Sequence, residues 1–168
     1  MKSYAKTLLL LALSALLLVL PACAQRERYR NDLPCTALME EAERLIPSDL
    51  GYTELGSEQI LYYFEGTNTY DDVCLRYSTR SENINEIGIF HSASEEEARR
   101  LREVIAGYLT NLWEEQEAFI ASYAPEELPK LKQAEIRSFG CYTVYAILSE
   151  ADKESVFRAI EERLSVKE

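Results

Sequence analysis

The chain has 168 residues, of which 47% are hydrophobic and 28% charged, and its formal charge is −11. That balance fits one folded domain and argues against a disordered acidic tail. Such an excess of acid repels phosphate backbones and anionic headgroups, which speaks against nucleic acid as a partner and leaves any membrane tether to lipid or apolar sequence.

The first 24 residues read as a leader. Lys2 and Lys6 form a basic start, and Leu8 to Leu20 is an apolar run interrupted only by Ser14. The run matches the h-region of a secretory signal and is too short to span a membrane. Leu20-Pro21-Ala22-Cys23 is similar to a bacterial lipobox, in which the Cys thiol receives diacylglycerol before cleavage in front of it, although Pro21 departs from the usual residue. Ala22-Cys23-Ala24 also fits the A-x-A pattern of ordinary cleavage, which would release a protein starting at Gln25. The placement of Cys23 directly after the apolar run favours lipidation, and hence the outer face of the cytoplasmic membrane. Secretion after cleavage behind Ala24 is the alternative. Residues 25–34 are polar and rich in Arg, and read as a tether. Residues 35–168 form the single domain.

Thr36 to Ile46 is predicted as a helix, with Leu38, Ala42, Leu45 and Ile46 on one face, and Pro47 ends it. Leu50 to Glu58 holds two glycines and reads as a loop. Ile60 to Phe64 reads as a strand, and Glu65 to Thr69 as a turn. Val73 to Thr79 alternates, placing Val73, Leu75 and Tyr77 opposite Cys74, Arg76 and Ser78. Ile84 to Phe90 is a further strand, in which Gly88 marks a bulge or a close backbone approach. Ser94-Glu95-Glu96-Glu97 is a capping box that opens a long helix to Tyr123, its apolar face running from Ala98 to Tyr123 through Phe119. Pro125 and Pro129 bracket a short helical turn. Ile136 to Leu148 reads as one strand, apolar on both faces and therefore central, with Gly140 inside it. Ser149 or Asp152 starts a terminal helix that buries Val156, Phe157, Ile160 and Leu164. The order predicts an α+β fold, a mainly antiparallel sheet of about four strands covered by the long and terminal helices.

Several motifs lie in order along this stretch. They are Asn85-Glu86-Ile87-Gly88-Ile89-Phe90, Glu97-Ala98, Phe119 with Tyr123-Ala124-Pro125, and Phe139-Gly140-Cys141-Tyr142. Together they resemble an uncharacterised family of Firmicutes lipoproteins of clostridial type, a domain of unknown function. That family usually has Gly-Asn-Tyr at the last motif, where Cys141 stands here. The resemblance implies a secreted or lipid-anchored location and transfers no catalytic or binding residue.

The candidates for chemistry are few. Cys35, Cys74 and Cys141 cannot all pair with one another. A Cys74–Cys141 disulfide is open if their strands are neighbours, and buried free thiols are the other reading. His91 is the single histidine. A thiol-dependent enzyme or redox factor would need it beside Cys74 or Cys141, whereas a loop role explains it as well. The acidic clusters fall on predicted helix surfaces, where solvation accounts for them. Of the 11 tyrosines, Tyr62, Tyr63, Tyr77 and Tyr145 could form a binding surface, although strand and core roles also explain them. No motif asks for a metal or another cofactor. The reading that emerges is a non-enzymatic envelope module that binds an envelope protein or wall component.

Overall fold

The computed structural model describes residues 29–46, 51–64 and 69–166. The leader, with Cys23, lies outside these residues, as does most of the turn expected at Glu65 to Thr69.

The described chain is α1 (Cys35–Glu43), β1 (Tyr52–Glu54), α2 (Ser57–Tyr63), β2 (Asp72–Ser78), β3 (Glu86–His91), α3 (Glu95–Tyr123), α4 (Leu128–Lys132), β4 (Glu135–Phe139), β5 (Tyr142–Ile147) and α5 (Glu150–Leu164). The five strands form one sheet in the order β1-β2-β3-β5-β4, and every neighbouring pair is antiparallel. The fold is α+β, as the order of elements implied.

Strand alternation sorts the core into two layers. Cys74, Ile87, Ile89, Val144 and Ala146 point to one face and pack under α1 and α5 with Leu38, Met39, Phe157 and Ile160. Leu75, Phe90 and Tyr145 point to the other face and pack with Ile60 of α2, its C-cap Phe64, and Leu101 and Ile105 of α3. With both faces covered, all six residues of β5 are buried.

Ser94 caps α3, its hydroxyl accepting the Glu97 amide at 3.2 Å. The 29 residues of α3 extend over roughly 43 Å at 1.5 Å per residue. A strand of six residues, such as β3, covers only about 20 Å. The N-terminal turns of α3 lie on the sheet, where Thr143 donates to the Ala98 carbonyl at 3.2 Å. The C-terminal half runs on past the sheet end where β2 stops and β3 begins. Phe119 and Tyr123, expected on its buried face, are therefore exposed at 55% and 74%.

Three elements differ from expectation. The residues read as a strand at Ile60 to Phe64 form the last turn of α2 and its C-cap. Ile60 and Phe64, four apart, are buried, while Tyr62 and Tyr63 face outward, which is helical spacing. The loop read at Leu50 to Glu58 contains β1, which brings the strand count to five. The single strand read at Ile136 to Leu148 is a hairpin. Gly140 has φ +61° and takes the first of two loop positions, where a type II′ turn requires left-handed backbone. Gly88 marks neither a bulge nor a close backbone: the register runs through it unbroken, and its missing side chain makes room for the Tyr145 ring. Leu45, expected on the inner face of the first helix, lies just past the end of α1 and is 42% exposed, while Met39 of α1 is buried.

The last residues of the stretch read as a tether are docked on the domain. Tyr29 bridges to Ser165 and packs edge-on against Phe139 at 5.6 Å. The Tyr142 hydroxyl donates to the Leu33 carbonyl at 2.6 Å and accepts the Leu33 amide at 3.0 Å.

Candidate functional site

The overhang of α3 encloses a pocket of about 200 Å³. Its apolar walls come from Leu112, Phe119, Ile120 and Tyr123 of α3, with Leu131 of α4 and Ile147 of β5. Its polar wall comes from the end of β2 and the β2–β3 connection, with Ser78, Ser81, Asn85 and Glu86. The Phe119 and Tyr123 rings lie 4.7 Å apart at 30°, a flat aromatic ledge exposed to solvent.

Glu86 is the one carboxylate among the lining residues. As the first residue of β3 it shares the α3-facing side with Gly88 and Phe90, so its side chain turns toward the helix. Two tyrosine hydroxyls meet it there. Tyr108 of α3 donates to Oε1 at 2.8 Å, and Tyr145 of β5 donates to the same oxygen at 2.5 Å. Oε2 accepts no hydrogen bond among the described residues. Burial raises the Glu86 carboxyl above its ordinary value, against the opposing pull of the two hydroxyls. Burial, with the neighbouring carboxylate, raises both phenols in turn.

Among the described residues no cation pairs with this carboxylate. The nearby Lys130 ammonium is held by Asn85 Oδ1 at 2.9 Å and by Glu127 at 2.7 Å. Glu127 also accepts the Ile84 amide at 3.1 Å, and Asn85 donates to the Tyr52 hydroxyl at 2.7 Å. This network fixes the β2–β3 connection and hence the polar wall.

The expected tyrosine surface divides. Tyr62 and Tyr63 are exposed, their rings edge-on to one another at 5.4 Å, and neither lines the pocket. Tyr77 lines it. Tyr145 is fully buried, so as a surface contact it is corrected. β5 lies between β3 and β4 under α3, and only the Tyr145 hydroxyl reaches the site, through Glu86.

The cysteines do not assemble a centre. Among the described residues, Cys35, Cys74 and Cys141 are free thiols. Cys141 sits in the hairpin turn rather than in a strand, and β3 separates β2 from β5. Burial pushes the Cys74 thiol up to about 11 and raises Cys35 and Cys141 as well. His91 lies 2.5 Å from Asp71 through Nδ1, and its buried Nε2 has no hydrogen-bond partner, so no thiol bonds to it.

Sequence reasoning missed Glu86 and Tyr108. Glu86 was quoted only as part of a motif. The signal was a charged residue on the same strand face as Phe90, in a strand whose two faces are both covered.

The family model described as Domain of unknown function (DUF4358) matches residues 53–148. That is more than half of the chain. The chain belongs to this family. No curated protein and no solved structure matches it. The DUF4358 segment contains every residue that lines the pocket, together with Tyr108 and Tyr145. Helices α1 and α5, which cover the other sheet face, lie outside it.

Proposed function

We propose that this DUF4358 protein is an exported, lipid-anchored envelope protein that acts as a non-enzymatic binding module, with the pocket beneath the end of α3 as its ligand site. The pocket carries the reading, because it joins apolar walls to one oriented carboxylate, the usual form of a small-molecule site. Its volume suits one ring or one short chain, which favours a small group of a wall component over a broad protein surface. Thiols pushed toward the protonated form support binding over thiol catalysis. The leader ending at Cys23 supports the anchor, and so does the resemblance to Firmicutes lipoproteins of clostridial type.

Two measurements test the reading. The intact mass of protein recovered from membranes should start at Cys23 and include diacylglycerol. A chain starting at Gln25 would make it a released protein instead. Proximity labelling on intact cells should recover a wall fragment above a tether-only control. Labelling equal to that control would overturn the binding role.

A further inference from the structure

We infer that the pocket takes a small organic cation, an ammonium group on an apolar or aromatic stem; this rests on the pocket being the ligand site. Three features converge on that class. First, Glu86 has one oxygen committed to two tyrosine hydroxyls and the other without a hydrogen bond among the described residues. The bonded hydroxyls fix the carboxylate in place, so it meets a ligand without reorganising. Second, Lys130, which bonds the neighbouring Asn85, is already held by Asn85 and Glu127, and no basic side chain among the described residues pairs with Glu86. An N–H donor with a positive charge is the complement of such an oxygen, and a ligand carboxylate or phosphate would be repelled by it and by the net charge of −11. Third, the remaining walls are the Phe119–Tyr123 ledge, Leu112 and Ile147, which would cover a stem, while the ring faces attract a cation entering past them.

The test is calorimetric titration of the full chain in neutral detergent, with blank micelles subtracted. The probes are 2-phenylethylammonium, neutral 2-phenylethanol and anionic 3-phenylpropionate. The cation should bind at least about tenfold more tightly than either of the others, the factor expected of one charge-assisted hydrogen bond in a partly dry site. Glu86→Gln should abolish that preference. Phe119→Ala with Tyr123→Ala removes only exposed rings and should weaken all probes that bind. Equal affinity for the alcohol and the ammonium, or a preference that survives Glu86→Gln, would overturn the cation assignment. If the aromatic double variant still weakened the alcohol in that case, the pocket would stand as the site. No heat above blank from any probe would overturn the pocket reading and the cation assignment together.

Discussion

Gly88→Ala tests the packing beneath the site. Gly88 lies on β3 between Leu75 of β2 and Tyr145 of β5. A Cβ there would stand 2.1 Å from Tyr145 Cε1 and 2.8 Å from Cδ1 and Cζ. The ring has no exit, since Phe64, Phe90 and Tyr108 lie within 6.3 Å of its centroid and the residue is wholly buried. Overpacking of this kind costs about 1–3 kcal/mol. Displacing the ring also breaks the hydroxyl bond to Glu86, a bond to a charged group worth about 1.5–3 kcal/mol. Replacing a strand glycine returns about 0.5–1 kcal/mol. The expected net loss is about 3 kcal/mol, a large share of a stability of about 5–15 kcal/mol. Urea denaturation of the full chain, followed by circular dichroism, should show the midpoint falling by about 1–2 M with an unchanged slope. Adding Tyr145→Leu to Gly88→Ala should recover part of the loss, with a coupling of about 1–2 kcal/mol. A loss under about 0.5 kcal/mol, or strict additivity in the double variant, would refute the close approach of Gly88 and Tyr145.

Four further outcomes follow. Ser94→Ala removes the acceptor for the Glu97 amide and should cost about 1 kcal/mol in the same denaturation assay. Tyr142→Phe strips both hydrogen bonds from Leu33; it should cost about 1–3 kcal/mol and speed amide exchange at Leu33. In the native protein iodoacetamide should spare the buried Cys35 and Cys74 and reach the partly exposed Cys141 first, as read by peptide mass, and rapid labelling of Cys74 would revive thiol chemistry. Glu86 has a folded pKa raised above its ordinary 4.5. The folded state therefore binds more protons than the unfolded state between those two values, and the Glu86 contribution to stability falls as pH rises through that window. The difference in midpoint between wild type and Glu86→Gln should move in favour of the variant over that window and be constant below it, and a constant difference throughout would sink the claim of a desolvated carboxyl.

The helices α3 and α5 were legible because each carries its own start signal and a sustained apolar face; Ser94 caps α3 as its spacing suggested, and of the two starts offered for α5, Ser149 is the one that caps. Strand β2 was legible from alternation. The failures are short segments in which periodicity is undersampled. Five apolar residues from Ile60 to Phe64 satisfy a strand or a helix turn equally, and packing against α3 decided for the helix. In the segment from Ile136 to Leu148, both halves are apolar and β-prone, so nothing in the alternation marked the reversal. The cue was Gly140 inside a run of 13 residues, more than twice the usual strand length.

The site was legible only in its separate parts. The tyrosines were visible, but which of them face solvent depends on strand order, and order is set by long-range pairing that single-sequence patterns do not encode. Once β5 is inserted between β3 and β4, Tyr145 must be buried, and its hydroxyl must find an acceptor or lose a hydrogen bond. Glu86, paired across from Ile147 two residues further along β5, is the acceptor within reach. Tyr108 supplies a second donor because α3 crosses that same point before overrunning the sheet. The length of α3 is thus what links fold to function. A helix ending near Ile105 would cover the sheet and leave Glu86 open to water, whereas the further turns to Tyr123 roof the carboxylate and build the aromatic ledge beside it.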